Sequence, residues 1–112
     1  MSARRGFGFA RLLIAAGWVT VAAVSSAATA PKVHTVVIAD MAFGPAPADV
    51  HVGDTVRYVN KDMFRHTATA RDGSFDLDMQ PKTSAETVVK KAGTINVYCR
   101  FHPGMKQALT VK

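Results

Sequence analysis

Beyond its first thirty residues, the chain alternates apolar and polar side chains at period two in short runs separated by turn residues. The run Thr55–Asn60 shows the pattern clearly, because Val56, Tyr58 and Asn60 fall on one face of an extended strand. No apolar repeat at helical spacing continues long enough to form a helix. The alternation therefore predicts an all-β fold, a two-sheet Greek-key β-sandwich of seven to eight short strands.

The predicted strands are short, and most of them end at a turn signal. The segments 53–54, 71–74 and 90–93 each contain glycine together with charged or small residues, as turns do. Residues 41–47 contain Gly and Pro and are predicted to form a connection. The predicted strands cover residues 34–39, 50–52, 55–60, 66–70, 75–80, 83–89, 94–99 and 108–111.

The first thirty residues differ from the rest of the chain in composition. They contain three arginines and no acidic residue, and their apolar run at 12–24 is about 13 residues long, too short to span a bilayer. Small residues follow at 25–30, as signal peptidase requires. These features predict a cleaved export signal over residues 1–28 and a mature domain over residues 29–112, with a retained membrane anchor as the alternative.

The sequence leaves the export route and the cleavage point open. The pair Arg4 and Arg5 is compatible with a twin-arginine signal, although paired arginines also occur in ordinary secretory (Sec) leaders. Cleavage fits after Ala27 or after Ala28. Either route predicts that the mature domain is exported.

Much of the positive charge of the chain belongs to this leader. The whole sequence has a formal net charge of +6, and without the three leader arginines 11 basic residues remain against 8 acidic ones. The remaining Lys and Arg residues are scattered among acidic residues rather than grouped in one stripe with aromatic side chains. This distribution argues against a nucleic-acid partner.

Three soft or borderline metal ligands lie within seven residues of one another near the end of the sequence. Cys99, His102 and Met105 follow a predicted strand, and Pro103 with the glycine after it supplies a tight turn between them. His66, about thirty residues upstream at the end of a loop, is well placed to supply a second imidazole. One thiolate, two imidazoles and a weak axial thioether are the ligands of a blue-copper electron-transfer site.

Each of these residues also has an ordinary structural explanation. A buried free Cys is a common core residue, Met fills gaps in cores, and a single His is usually structural. Together, the spacing and the lone cysteine of an exported chain favour copper, whereas zinc gains little from a Met ligand. Cys99 with His102 suits a thiol hydrolase less well than a shared metal, because so small a domain offers no separate cleft. The other histidines, His34 and His51, are predicted to be exposed strand residues.

On these residues the chain resembles the cupredoxins, the type 1 blue copper proteins, and among them it is most similar to the plastocyanin-like amicyanins. The Cys-x-x-His-x-x-Met spacing is that of the short ligand loop of amicyanins. The resemblance covers nearly all of the mature chain. It implies a cupredoxin-like sandwich and one copper ion with His66, Cys99, His102 and Met105 as ligands. Asn60 would match the family asparagine that ties the two ligand loops together.

The chain departs from the family pattern around the ligands. Thr67 stands where amicyanins and plastocyanins have Asn, so the hydrogen bond to the cysteine loop is either made by a hydroxyl or lost. Arg100 and Phe101 replace a Thr-Pro pair of amicyanins, which places a charge and a large aromatic ring beside the copper. The resemblance thus implies the family ligands in surroundings that differ from those of the family.

The resemblance implies a periplasmic one-electron carrier that cycles between Cu(II) and Cu(I) and is not an enzyme. Its redox partners would bind transiently, such as a c-type cytochrome or a periplasmic dehydrogenase, and the carrier would be a monomer with no membrane contact after signal cleavage. Arg65, Arg100 and Lys106 would favour acidic partners. The alternative is a periplasmic copper-binding protein for copper buffering or delivery, although the methionines show no cluster for Cu(I) handover.

Overall fold

The computed structural model describes Gly6, Gly8, residues 13–22 and residues 30–112. These residues form eight β-strands and no helix, which confirms the predicted all-β fold. The strands are β1 (Val33–Ala39), β2 (Ala42–Phe43), β3 (Thr55–Asn60), β4 (His66–Ala70), β5 (Asp76–Met79), β6 (Ser84–Val88), β7 (Gly93–Tyr98) and β8 (Lys106–Val111).

The strands form two four-stranded sheets, as predicted for a sandwich. The first sheet has the order β2-β1-β3-β6, in which β1 and β3 run parallel and the other neighbours run antiparallel. The second sheet has the order β5-β4-β7-β8 and is antiparallel throughout. This topology places β4, β7 and β8 side by side, although β4 is distant from the other two in sequence.

The core lies between the two sheets and follows the predicted alternation. In β3, Val56, Tyr58 and Asn60 are buried, whereas Arg57 is exposed. The Tyr58 ring packs against the rings of Phe43 and Phe75, and burial raises its pKa to well above the ordinary range. The single cysteine, Cys99, is buried and forms no disulfide.

The predicted strand at 50–52 does not form. Val50 makes only an isolated bridge to Val111, and the chain then turns, because the N–H of Asp54 donates to the carbonyl of His51 at 2.9 Å. Because this turn follows Val50 directly, the pairing with Val111 does not extend into a β-ladder.

The predicted connection at 41–47 contains the short strand β2, which pairs with β1 as a hairpin. The turn between them is made by Asp40 and Met41, whose φ values are +52° and +61°. Two successive residues with positive φ are typical of a tight hairpin turn, but such turns usually contain Gly or Asn. This turn has Asp at its first position but lacks glycine at its second, so the sequence contains only part of the usual hairpin signal.

Most of the predicted export signal lies outside the described residues, so the leader over 1–28 stays a prediction. Residues 13–22 belong to no helix or strand, and Trp18 in this segment is exposed. In the described part of the chain, no helix is long and apolar enough to cross a membrane.

Candidate metal centre

The four predicted ligands lie at strand ends of the second sheet. His66 is the first residue of β4, and Cys99 directly follows the last residue of β7. His102 lies in the loop between β7 and β8, and Met105 directly precedes β8. His66, Cys99 and Met105 are buried, while His102 is partly exposed. Pairing of β4 with β7 thus brings His66 close to a loop that lies far away in sequence.

The side chains of His66, Cys99 and His102 converge on one point. Cys99 Sγ lies 3.8 Å from Nδ1 of His66 and 3.8 Å from Nδ1 of His102. The two imidazole rings meet edge to face, with their centroids 5.0 Å apart. Within the described ranges, this is the one group of three or more His, Cys, Asp or Glu side chains that could hold a metal ion.

The spacing of these atoms leaves room for one ion. A metal bonded to sulfur at about 2.3 Å and to nitrogen at about 2.1 Å separates the two ligand atoms by about 3.8 Å when the angle at the ion is about 120°. One thiolate and two imidazoles in a trigonal arrangement are typical of copper electron-transfer sites. The donor set and its spacing therefore fit copper.

The loop that carries Cys99, His102 and Met105 is closed by its own backbone. The N–H of Cys99 donates to the carbonyl of Met105 at 3.2 Å, and the N–H of Met105 donates to the carbonyl of His102 at 2.9 Å. Pro103 and Gly104 form the turn between His102 and Met105, as the sequence predicts. These hydrogen bonds restrict the three side chains without help from a bound ion.

The groups around Cys99 Sγ favour a thiolate. Burial raises the pKa of the Cys99 thiol. The N–H of Thr67, which donates to Sγ at 3.3 Å, lowers this pKa, and smaller contributions in the same direction come from the imidazoles of His66 and His102 and from the N–H of Phe101. The balance places the pKa at about 6, below the ordinary value of 9.0. The site is thus suited to the deprotonated sulfur that a soft metal ion binds.

In the metal-free protein, the Cys99 thiol is expected to titrate near pH 6. Its folded-state pKa is lower than its unfolded-state pKa, so the thiolate stabilises the fold increasingly as the pH rises from about 6 to about 9. The same contribution is lost as the pH falls through about 6. Ultraviolet absorbance of the thiolate measures the transition, with Cys99→Ser as the blank. A midpoint near 9 in the folded protein would contradict this arrangement of donors.

The second ring nitrogen of His66 is held by Asp62. Nε2 of His66 lies 2.7 Å from Oδ2 of Asp62, while Nδ1 faces the sulfur. The carboxylate also accepts the N–H groups of Asp40 and Met41 in the β1–β2 turn, at 2.8 and 3.0 Å. Burial raises the pKa of Asp62, but these hydrogen bonds outweigh that effect, so the pKa is lowered. Asp62 was not among the residues predicted from the sequence, although its position four residues before a predicted ligand is a usable signal.

Asn60 has a different role from the one that the family resemblance implies. Its buried amide oxygen accepts the N–H of Asp62 at 3.0 Å. Its amide nitrogen donates to three backbone carbonyls, those of Phe64, Met79 and Gln80. Asn60 therefore ties the loop before β4 to the end of β5, rather than to the cysteine loop.

The two ligand loops are instead linked by Thr67. The N–H of Arg100 donates to Oγ1 of Thr67 at 2.9 Å, while the N–H of Thr67 donates to the sulfur of Cys99. Of the two outcomes predicted for this position, the hydrogen bond to the hydroxyl is the one that forms.

The two other histidines are not part of this group. His51 is exposed, as predicted, and its Nε2 lies 3.2 Å from Oδ1 of Asp49. The prediction of an exposed His34 is wrong, because its Nε2 lies 2.8 Å from Oδ2 of the buried Asp54 and its side chain is largely covered.

Comparison with known proteins gives a family and a relative. The sequence matches the family described as Cupredoxin-like domain over residues 11–111. A curated relative, the methylamine utilization protein MauL of Methylorubrum extorquens, is 38% identical over 64 residues, which cover 54% of this chain and 56% of MauL. The chain thus spans only about half the length of this curated relative.

Solved structures of amicyanin variants have the same fold. A reduced Cu(I) form of one variant at pH 4 matches with a TM-score of 0.61 and 27% identity, over 71% of this chain and 82% of that chain. An oxidised form of another variant matches with a TM-score of 0.62 and 26% identity, over 70% and 81% of the two chains. The ligand atoms of His66, Cys99 and His102 lie close enough together to hold one copper ion. With a family match over most of its length and the two-sheet fold of amicyanin, the chain belongs to the cupredoxin-like family.

Proposed function

We propose that the protein is a copper-dependent one-electron carrier. The observation that supports this most directly is the convergence of Cys99 Sγ with the Nδ1 atoms of His66 and His102 at the end of a β-sandwich. In this proposal the three side chains are the strong ligands, and Met105, at the end of the same loop, is the weak axial ligand. When bound, copper supplies a centre that accepts and releases one electron between Cu(II) and Cu(I).

The surroundings of the proposed ligands suit electron transfer because they resist movement. His66 and Cys99 are fully buried, and the ligand loop is closed by its own backbone hydrogen bonds. Ligands that shift little between oxidation states allow electron exchange with little rearrangement of the protein. Amicyanin variants of the same fold are known in both reduced and oxidised forms, which supports a role in redox cycling.

Three exposed apolar side chains on the two ligand loops form the docking face in this proposal. Met63 and Phe64, in the loop before β4, are 81% and 58% exposed, and Phe101, beside His102, is 43% exposed. The guanidinium of Arg65 lies 4.7 Å from the Phe101 ring centroid, so the two loops contact each other. A partner on this face would approach the partly exposed His102 closely, in a weak and brief complex.

Two of the three basic residues predicted to favour acidic partners, Arg65 and Arg100, are paired with aspartates of the protein. Arg65 forms an ion pair with Asp78, and Arg100 lies 3.1 Å from Asp76 and 3.6 Å from Asp78. The two arginines are therefore matched by two aspartates, which weakens the attraction to acidic partners that the sequence alone predicts. Apolar contact should consequently contribute more to association than charge attraction does, and the affinity for a partner should depend only weakly on ionic strength.

The proposed carrier is a periplasmic monomer that passes electrons to or from another protein and is not itself an enzyme. The predicted export signal supports the periplasmic location. Its proposed partners are a c-type cytochrome or a periplasmic dehydrogenase. The relative MauL is named for methylamine utilization, which is compatible with a redox partner in the metabolism of small amines.

Absorption spectroscopy combined with a redox cycle tests the proposed function. The mature chain with one equivalent of Cu(II) is expected to show an intense visible band from thiolate-to-copper charge transfer. Ascorbate should bleach the band and ferricyanide should restore it over repeated cycles, with one electron taken up per chain. His51→Ala removes a histidine outside the ligand group and should behave like the wild type.

Two outcomes would count against the carrier. A colourless protein with full Cu(II) occupancy would overturn it. A blue protein that loses its copper to a Cu(I) chelator on the first reduction, so that ferricyanide does not restore the blue form, would support copper buffering or delivery instead.

Replacing Asp62 by Ala is expected to weaken copper binding roughly 10- to 100-fold, the range for removal of an outer hydrogen-bond partner of a metal-bound histidine. The substitution leaves Nε2 of His66 and two turn N–H groups without their acceptor. Competition with a chelator of known affinity measures the change. Asp72→Ala, at an exposed turn aspartate, is the matched control. Equal affinities for the two variants would show that Asp62 does not support the ligand.

A further inference from the structure

A closed ring of hydrogen bonds connects the cysteine loop to β4 and β5. Arg100 enters the ring twice, because its backbone N–H donates to Oγ1 of Thr67 at 2.9 Å and its Nε donates to Oδ1 of Asp76 at 3.1 Å. Between these ends, Oγ1 of Thr67 lies 2.9 Å from Oγ1 of Thr69. The Thr69 hydroxyl donates to the same Oδ1 of Asp76 at 2.7 Å. Four residues from three chain segments thus close one ring.

The chemistry of these groups fixes the direction of every hydrogen bond in the ring. The Asp76 carboxylate, paired with the Arg100 guanidinium, can only accept, so the one hydroxyl proton of Thr69 points toward it. The backbone N–H of Arg100 can only donate, and it occupies a lone pair of Thr67 Oγ1. The Thr67 hydroxyl therefore donates to Thr69. All the dipoles along this path run toward the carboxylate, and hydrogen bonds aligned in this way strengthen one another.

The two hydroxyls of the ring are shielded from water. Thr67 is fully buried and Thr69 nearly so, whereas the Asp76 side chain is half-exposed. The two threonines are two positions apart in β4 and so face the same side of the sheet. Thr69 lies opposite Asp76 in the β4–β5 pairing, which brings the carboxylate to the hydroxyl. Because water has little access here, a lost hydroxyl leaves its neighbour without a replacement partner.

Thr67 couples this ring to the sulfur of Cys99. The residue whose hydroxyl accepts the N–H of Arg100 also donates its own N–H to Cys99 Sγ at 3.3 Å. Since Cys99 and Arg100 are consecutive, the ring holds the backbone beside the sulfur against β4. An N–H that donates to a thiolate withdraws electron density from it, and hydrogen bonding around the sulfur tunes the potential of such centres.

We propose that Thr69 and Asp76 are positioning residues that hold the Cys99 loop against β4 and thereby set the reduction potential of the copper centre. Both act through Thr67 and Arg100 rather than on the ligand atoms themselves. The effect on the reduction potential rests on the proposed function, whereas the effect on the loop concerns the protein without metal.

A pair of substitutions at position 69 separates the hydroxyl from the shape of the side chain. Thr69→Val keeps the branched shape and removes the hydroxyl, while Thr69→Ser keeps the hydroxyl. Thr110→Val, at an exposed threonine of β8, is the control for the same chemical change elsewhere. Asp76→Asn weakens the final acceptor at a half-exposed position, and it provides a second variant if Thr69→Val does not fold.

Amide hydrogen exchange of the metal-free protein, followed by NMR, tests the ring directly. The Arg100 amide is expected to exchange roughly tenfold faster in Thr69→Val than in the wild type, the fold-change for loss of about one hydrogen bond. It should exchange at the wild-type rate in Thr69→Ser and Thr110→Val. The amide of Leu109, in the buried β7–β8 ladder, reports global unfolding and serves as the reference.

Redox titration of the copper-loaded variants tests the effect on the centre. The reduction potential is expected to fall in Thr69→Val, which leaves the charge of the protein unchanged, and to stay at the wild-type value in Thr69→Ser. For Asp76→Asn, whose lost negative charge shifts the potential by itself, faster Arg100 exchange is the expected result. Equal Arg100 exchange and equal potentials in Thr69→Val and Thr69→Ser would overturn the proposal. If the wild type forms no blue centre, the proposed function fails. Faster Arg100 exchange in Thr69→Val would then still support the positioning of the loop, and unchanged exchange would overturn it.

Discussion

Replacing Cys99 by Ser is expected to abolish the intense visible absorption of the Cu(II)-loaded protein. Copper affinity should fall by more than roughly 100-fold, beyond the effect of removing an outer hydrogen-bond partner. A serine hydroxyl keeps its proton near neutral pH, whereas the Cys99 thiol has its pKa lowered to about 6. Its hard oxygen is also a poor ligand for Cu(I). Because the chain has only one cysteine, no other thiolate can take over this role.

Comparing Cys99→Ser with the wild type isolates the role of the sulfur, because Ser and Cys have a similar shape. The N–H of Thr67, which donates to the sulfur, can still donate to a serine oxygen, so the loop is expected to keep its place. Circular dichroism of the metal-free variant should therefore match that of the wild type. A visible band of undiminished intensity in Cys99→Ser would exclude a thiolate ligand and with it the proposed blue-copper centre.

Much of the fold could be predicted because a sandwich buries one face of each strand. In β3 the residues predicted to share one face are the buried ones, and the turn residues before the strand mark where it begins. The β1–β2 hairpin could not be predicted, because Asp40 and Met41 adopt positive φ without being glycine. Their N–H groups donate to the Asp62 carboxylate, so the turn is stabilised from a loop about twenty residues away. Local sequence patterns do not contain that information.

The proposed ligands could be found in the sequence for a different reason. Three of them lie in one seven-residue loop, and Cys, His and Met are uncommon enough for the combination to be informative. The groups that hold the ligands are common polar residues whose roles depend on strand register. Asp76 lies opposite Thr69 only because β5 pairs with β4 in one particular register. The same pairing places Asp76 and Asp78 beside Arg100, so the ion pairs of this arginine could not be predicted from local sequence.

Replacing Asn60 by Ala is expected to lower the free energy of unfolding of the metal-free protein by about 3 kcal/mol. The Asn60 side chain is fully buried, and its partners fix its orientation, since backbone carbonyls only accept and the N–H of Asp62 only donates. Its two N–H hydrogens serve three carbonyls. The Phe64 carbonyl, at 2.8 Å, takes one, and the adjacent Met79 and Gln80 carbonyls, at 3.2 and 3.3 Å, share the other. Alanine leaves these groups without their partner in a buried place.

Urea unfolding measures this change, and Asn96→Ala, at an exposed asparagine of β7, should stay within about 0.5 kcal/mol of the wild type. Equal free energies of unfolding for the two alanine variants would contradict the role given to Asn60. Copper binding should weaken as well, because Asn60 fixes the backbone of Asp62, whose carboxylate holds the His66 ring. Stability and copper affinity are therefore expected to fall together in Asn60→Ala. In Cys99→Ser, by contrast, copper binding is expected to be lost while the fold remains. The Cys99 sulfur is a proposed copper ligand, whereas the Asn60 amide makes hydrogen bonds that stabilise the fold around the ligands.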